Sequence, residues 1–172
     1  MAKDTPESLI ERRFDQLLLR EGPALMRLAG AYTNTAGDRD DLFQEIALAI
    51  WQALPNFRGE SSERTFLFRI AHNRSVTYLA NRRSSGICPD DEEQVSDPRS
   101  DPERDFAKEQ ERQQLLRAVR RLPVLYRQVI MLALEGLSYG EIAEVLAVSE
   151  SNVGARLNRA RQMLRSLMEN RV

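Results

Sequence analysis

Residues 137–161 read LSYGEIAEVLAVSESNVGARLNRAR, and this stretch decides how the chain folds. Apolar residues recur there at the three- and four-residue spacing of a helix in two segments, the first from about Tyr139 to Leu146. Ala147 and Val148 form the turn between the segments, and Ser149 is suited to cap the second helix. The apolar positions of the two segments are Ile142, Ala143, Leu146, Val153, Leu157 and Ala160. The pattern predicts a helix-turn-helix.

The second helix of this motif has a polar, basic outward face. Its outward positions are Glu150, Ser151, Asn152, Ala155, Arg156 and Arg159. A recognition helix presents such a face to base edges in the major groove of DNA. The alternative is an ordinary helical hairpin with a solvated basic face, but residues 151–172 carry five arginines against one glutamate, an excess that favours phosphate binding. Many such motifs have glycine in the turn where Ala147 stands, and alanine there costs roughly 1 kcal/mol.

The composition suits two small domains. The chain has 172 residues, of which 42% are hydrophobic and 30% charged, and its net charge is −1. Its one cysteine, Cys88, excludes an intramolecular disulfide and suits a reducing compartment. No apolar run approaches the roughly 18 residues of a membrane helix, and the N-terminus lacks the apolar segment of a signal peptide. We therefore expect a soluble cytoplasmic protein without membrane insertion.

The charges are distributed unevenly along the chain. Residues 58–83 carry six arginines against two glutamates, whereas residues 84–107 carry eight acids against two arginines. The acidic segment is also poor in apolar residues and contains several prolines, which predicts a flexible linker. We therefore divide the chain into a first domain at 8–83, an acidic linker at 84–107 and a second domain at 108–170.

Three helical patterns precede the linker. The first, at about 8–31, is one long helix or two short ones, because Gly22 and Pro23 interrupt it. Asp38 is a suitable N-cap for the second, which ends before Pro55 and keeps Asp41, Gln44, Glu45, Leu48 and Gln52 on its outer face. The third interleaves Phe66 and Phe68 with arginines, as nucleic-acid binding favours, although one of the two rings is expected to fill the core.

Helical patterns resume after the linker near Phe106. Pro123 then begins a helix whose apolar positions are Leu125, Val129, Ile130 and Leu132. The sequence has no β pattern and no internal repeat. The prediction is an all-α protein with two small helical domains, joined by a flexible acidic linker, and a helix-turn-helix in the C-terminal domain.

Taken together, these segments resemble bacterial RNA polymerase sigma factors of the small two-domain extracytoplasmic-function (ECF) type, over about residues 14–83 and 109–167. The motifs that carry the resemblance are DLFQE at 41–45, FRGE at 57–60, TFLFRIAHN at 65–73 and LPVLYR at 122–127. They occur in the family's order on either side of the acidic linker. The sequence departs from the family at Phe66, where tryptophan is common, and at Gly154, where lysine is frequent.

The resemblance implies a role for each segment. The clamp helices in the largest subunit of core RNA polymerase would be bound by Asp41, Gln44 and Glu45. The −10 promoter element, with one base flipped into the loop at 57–63, would be bound by Arg58, Glu60, Ser61, Ser62, Phe66, Arg69, Asn73 and Arg74. The −35 element would be read by Ser151, Asn152, Ala155 and Arg156, with phosphates held by Arg127 and Arg159.

The implied function is a non-enzymatic promoter-specificity subunit that needs no cofactor or metal and helps open DNA. Its partners would be core RNA polymerase, promoter DNA and, as such proteins can have, an anti-sigma factor. Two alternatives fit the sequence less well. A response-regulator-like transcription factor should have a sensor domain with strands, and a metal-dependent nuclease built on Asp38, Asp41 and Glu45 lacks further ligands. His72 is expected at the surface or at a helix cap, and Cys88 is expected to be inert.

Overall fold

The computed structural model describes residues 6–84 and 105–169, and all regular structure in these ranges is helical. Helices α1 (Pro6–Gly30), α2 (Ala36–Ala53) and α3 (Glu63–Ser84) form an N-terminal lobe. Helices α4 (Asp105–Arg121), α5 (Val124–Leu134), α6 (Tyr139–Leu146) and α7 (Glu150–Glu169) form a C-terminal lobe. The expected all-α fold is confirmed, and no described helix could span a membrane. Nearly all of the acidic linker, including Cys88, lies outside the described residues.

Helix α1 is continuous through Pro23. Proline inside a helix removes one backbone hydrogen bond and crowds the preceding turn. Leu17 before the proline and Leu25 and Leu28 after it are all buried in the same core. Packing on both sides of the proline therefore offsets the lost hydrogen bond, and the sequence alternative of two short helices is excluded.

Helix α2 begins one turn earlier than the sequence suggests. Its N-cap is Thr35, whose hydroxyl accepts a hydrogen bond from the backbone N–H of Asp38 at 3.0 Å, so the predicted cap at Asp38 is wrong. The Asp38 carboxylate instead accepts a hydrogen bond from Arg82 of α3. Burial raises the pKa of Asp38, but the hydrogen bonds from Arg82 and Thr35 outweigh it and the pKa is lowered. Asp38 thus joins α2 to α3, and this pairing removes it from the carboxylate set of the nuclease alternative.

Helix α3 is buried more extensively than its charge suggests. Phe68 is fully buried, whereas Phe66 is half-buried, which confirms that one of the two rings fills the core. His72 is only 7% exposed, so the expectation of a surface position is wrong. The reason is that α3 packs against α1, α2 and also α6 of the other lobe, so a broad face of the helix that includes His72 is buried. Burial lowers the pKa of His72 to about 4.

The C-terminal lobe contains the predicted helix-turn-helix. Ser138 caps α6 in a reciprocal capping box with Glu141, and the hydroxyl of Ser149 accepts a hydrogen bond from the N–H of Asn152 at 3.2 Å. Ala147 occupies the left-handed region at φ 52° and ψ 48°, as the turn requires. The predicted stripe on α7 is confirmed, because all its members are fully buried: Val153, Leu157 and Ala160. Leu125, one of the apolar positions that indicated α5, is 42% exposed.

The two lobes contact each other directly. Arg27 of α1 donates two hydrogen bonds to the carboxylate of Glu135 after α5, at 2.8 and 2.6 Å. Arg64 of α3 donates to the backbone carbonyl of Glu135, and Arg120 of α4 donates twice to the carbonyl of Gly30, at 3.0 and 2.8 Å. Buried apolar residues of both lobes belong to one contiguous cluster. Charged and apolar contacts therefore hold the lobes together in this conformation.

Candidate functional site

The recognition face of α7 lies open to solvent at the end of the C-terminal lobe. Ser151, Asn152, Ala155 and Arg159 are exposed, and Arg156 is half-buried. Val153 and Leu157 fix the rotation of the helix by burying its opposite face. The capped first turn therefore presents its side chains outward, as the outward pattern of the sequence predicts.

These five residues line a single surface concavity of about 390 Å³. The remaining lining residues are Leu125, Tyr126 and Ser149. The first turn of α5 thus forms part of the same surface as the first turns of α7, because the two helices pack against each other. Leu125 and Tyr126 were not predicted to lie at this surface. Both residues lie in the first turn of a helix, where a neighbouring helix can end before it covers them. This position is the feature of the sequence that could have indicated their exposure.

The concavity is electropositive. The guanidinium groups of Arg156 and Arg159 form no ion pair with any carboxylate of residues 6–84 or 105–169 in this structure. Arg161 lies on the same helix and is also exposed. Cations that lack an internal counterion retain their full attraction for the phosphates of a duplex. The arrangement suits a DNA groove with its flanking backbone.

Arg127, the remaining residue predicted to contact the −35 element, lies elsewhere. Its guanidinium donates hydrogen bonds to the backbone carbonyls of Arg120, Leu122 and Ala31, the last of these in the other lobe. It also lies over the ring of Tyr32, 5.7 Å from the ring centroid. Arg127 does not line the concavity and instead stabilises the end of α4 and the contact between the lobes.

The loop between α2 and α3 is anchored by an aromatic contact. The rings of Phe57 and Phe66 lie with centroids 4.6 Å apart, and the guanidinium of Arg13 lies 5.3 Å from the centroid of Phe57. Arg13 also donates to the carboxylate of Glu63 at 2.9 and 2.7 Å, which lowers the pKa of that carboxyl group. Gly59 has a φ of +75°, which favours glycine. Contacts with α1 and α3 therefore fix both ends of the loop.

The predicted −10 residues lie on this loop and on the adjoining helix. Arg58, Glu60 and Ser62 are exposed and Ser61 is half-buried. The hydroxyl of Ser62 also caps α3, because it accepts a hydrogen bond from the N–H of Thr65 at 3.0 Å, a structural role that the sequence analysis missed.

On α3, the remaining −10 candidates share one side of the helix. Phe66, Arg69 and Asn73 follow each other at spacings of three and four residues, and Arg74 lies beside them. Asn73 and Arg74 are exposed, whereas Phe66 and Arg69 are half-buried. The structure therefore arranges the loop and this side of α3 as neighbouring parts of one surface.

The outer face of α2 forms a separate surface. Asp41, Gln44 and Glu45 are exposed on adjacent turns, and Leu48 beside them is 56% exposed. The opposite face is committed to the core through Leu42, Ile46 and Ile50, which are fully buried. The carboxylates of Asp41 and Glu45 form no ion pair with the rest of the described chain. This surface joins an exposed leucine to unpaired negative charge, which suits a basic partner.

Two family models match the chain, one in each lobe. Residues 17–85 match Sigma-70 region 2, and residues 112–164 match Sigma-70, region 4. The first match covers the helices that carry the acidic face and the anchored loop. The second covers the helix-turn-helix and the concavity.

Curated relatives are similar to almost the whole chain. The ECF RNA polymerase sigma-E factor of Escherichia coli (strain K12) is 33% identical over 164 residues, which cover 90% of this chain and 85% of that protein. The RNA polymerase sigma factor NccH of Alcaligenes xylosoxydans xylosoxydans is 29% identical over 161 residues, which cover 91% of this chain and 87% of that protein.

Two solved structures have a similar fold. CnrH, in complex with the cytosolic domain of CnrY, is 29% identical with a TM-score of 0.71, and the match covers 94% of this chain and 91% of that one. The sigma factor RpoE of Bartonella quintana, in complex with the anti-sigma factor NepR, has a TM-score of 0.74 over 94% of this chain and 99% of that one. At 23% identity, the second supports the fold alone.

Proposed function

The chain belongs to the ECF sigma factors, and from this premise we propose which of its surfaces contact polymerase and promoter DNA. ECF sigma factors are promoter-recognition subunits of bacterial RNA polymerase and have no catalytic activity of their own. Three surfaces are assigned: the outer face of α2 to core polymerase, the anchored loop and α3 to the −10 element, and the concavity to the −35 element. The concavity gives the strongest support, because it is lined by five of the six residues proposed to bind the −35 element.

The outer face of α2 binds the clamp helices of the largest polymerase subunit through Asp41, Gln44 and Glu45. Support comes from their shared exposure and from the unpaired state of both carboxylates within the described chain. Basic side chains of a partner would be attracted to this face and oriented by it. Leu48, 56% exposed between polar neighbours, adds an apolar contact that such a partner can cover.

The loop and α3 bind the melted −10 element. Flipping a base out of the stack costs a few kcal/mol, which hydrogen bonds and stacking in the receiving site must return. Arg58, Glu60 and Ser61 offer polar groups at the loop tip, and Phe66 offers a half-buried aromatic ring at the base of the loop. Arg69, Asn73 and Arg74 extend the same surface along α3 for contacts to phosphates or base edges.

The concavity binds the −35 duplex. Ser151, Asn152, Ala155 and Arg156 contact base edges, because the first two turns of a recognition helix enter the major groove. Arg159, one turn further along the exposed side of α7, holds a phosphate. The proposed phosphate contact of Arg127 requires its guanidinium to leave the carbonyls that it binds in this conformation.

The test of the whole proposal is reconstitution with core RNA polymerase. The chain should co-elute with the core enzyme, and the complex should initiate transcription at defined sites on a template pool that the core enzyme alone does not use. Asp41→Lys with Glu45→Lys should abolish co-elution while leaving helicity and thermal stability nearly unchanged. The matched control is Glu11→Lys with Asp15→Lys, because these two acids are also exposed, lie four residues apart and undergo the same change of charge on α1. Equal co-elution of both variants would contradict the assignment of α2.

The same function places the protein in the cytoplasm, where core polymerase and the promoter DNA reside. We also propose an anti-sigma factor as a partner, because CnrH, which is 29% identical to this chain, was solved in complex with the cytosolic domain of a second protein, CnrY. Addition of a cognate anti-sigma factor should release the chain from core polymerase in the co-elution assay.

A further inference from the structure

Leu125 is an exposed apolar side chain at the end of a stripe that is otherwise buried. It lies in the first turn of α5, 42% exposed, while Val129 and Leu132 on the same stripe are fully buried. Its side chain lines the concavity together with the polar residues of α7 proposed to read DNA. A group that occupies this concavity therefore meets Leu125 and the recognition helix at the same time.

The major groove of a duplex offers one kind of alkyl group to such a side chain. Each base pair presents donors and acceptors at its edge, and only thymine adds a methyl group, at C5. Among the residues that line the concavity, Ala155 offers one carbon from the recognition helix, whereas Leu125 offers a longer branched chain from the neighbouring helix. The sugars of the DNA backbone are the other apolar partner, but they are identical at every base pair.

We propose that Leu125 determines specificity by contacting the C5 methyl group of one thymine in the −35 element. This inference rests on the proposed function of the concavity as the −35 site. It adds a residue outside the helix-turn-helix to the set that reads sequence. The chain would then prefer a 5-methylpyrimidine at one position of the element, where hydrogen bonding alone would not distinguish thymine from uracil.

The experiment uses holoenzyme reconstituted from core RNA polymerase and the full chain. Duplexes that the wild-type holoenzyme retains from a randomised pool supply the probe. Each thymine of the selected −35 element is replaced in turn by deoxyuridine, which removes only the methyl group. At one position we expect affinity to fall by about fourfold, the factor that corresponds to roughly 0.8 kcal/mol for one buried carbon group. A selected element without thymine, or a deoxyuridine series without effect, would overturn the proposal without requiring any variant.

Variants then assign the effect to Leu125. Leu125→Ala should lose at least the same factor on the thymine duplex and should no longer distinguish thymine from deoxyuridine at that position. Leu125→Met should retain the discrimination. Leu134→Ala is the matched control, because Leu134 is 51% exposed at the other end of the same helix and does not line the concavity. It should show the full deoxyuridine effect.

The outcomes separate this inference from the function on which it rests. If Leu125→Ala still distinguishes the two bases as the wild type does, the methyl group contacts another residue and the inference is wrong, while the −35 assignment stands. If Leu125→Ala weakens all duplexes equally, Leu125 packs on a sugar and the inference is again wrong. If the wild-type holoenzyme retains no duplex in preference to the pool, both the proposed function and the inference fall.

Discussion

Replacing Ala147 by glycine should stabilise the protein. Ala147 lies at φ 52° and ψ 48°, in the left-handed region where the Cβ of an L-residue crowds the following carbonyl oxygen at a cost of about 1–2 kcal/mol. Glycine removes that cost, but its greater freedom in the unfolded chain returns roughly 0.4–1 kcal/mol. The Ala147 side chain is exposed, so no core packing is lost. The net gain in the free energy of unfolding should be about 0.5–1 kcal/mol.

Urea unfolding followed by far-ultraviolet circular dichroism measures this gain, and two controls bracket it. Gly136 has a φ of +82° with nothing within 4 Å of a Cβ placed there, so Gly136→Ala should lose about what Ala147→Gly gains. Ala80 is exposed within helix α3, so Ala80→Gly should lose about 1 kcal/mol. If Ala147→Gly loses as much stability as Ala80→Gly, the left-handed strain inferred for the turn is absent.

Three further predictions concern DNA reading, lobe closure and pH. Arg159→Ala should weaken binding to all duplexes alike and reduce the dependence of log affinity on log salt by about 1. Arg156→Ala should instead relax sequence preference at one position by roughly 1–3 kcal/mol. If both variants lose affinity uniformly, Arg156 is a phosphate contact. Glu135→Gln removes the ionic partner of Arg27, so small-angle scattering should give a larger radius of gyration at low salt than the wild type shows. The radius of gyration of the variant should also depend less on salt. A radius of gyration that changes neither with salt nor with the substitution would show that apolar contacts hold the lobes together. Burial lowers the pKa of His72 from 6.5 to about 4, so only the unfolded chain binds a proton at this residue between these pH values. The free energy of unfolding should therefore fall by up to about 1.4 kcal/mol per pH unit as the pH drops from 6.5 to about 4. An equal pH dependence of stability in His72→Gln would contradict this.

The sequence alone determined the helix-turn-helix and the rotation of its recognition helix. The bounds of α6, the Ser149 cap and the buried stripe through Val153 and Leu157 were all predicted, and the structure agrees. These features follow from local rules, because apolar periodicity and capping chemistry act between residues a few positions apart. The exposure of the predicted −35 residues on α7 followed from the same rules, since burying one face of a helix exposes the other.

Only the tertiary structure decided which positions neighbouring elements cover. His72 is buried because α3 is packed by helices from both lobes, which its own sequence does not record. Leu125 is exposed although it continues the apolar stripe of α5. Arg127 binds backbone carbonyls of both lobes, so its charge serves packing in this conformation. Periodicity identifies the apolar face of a helix, but the length and position of the element packed against that face depend on contacts distant in sequence, and those contacts determine which residues remain open to DNA.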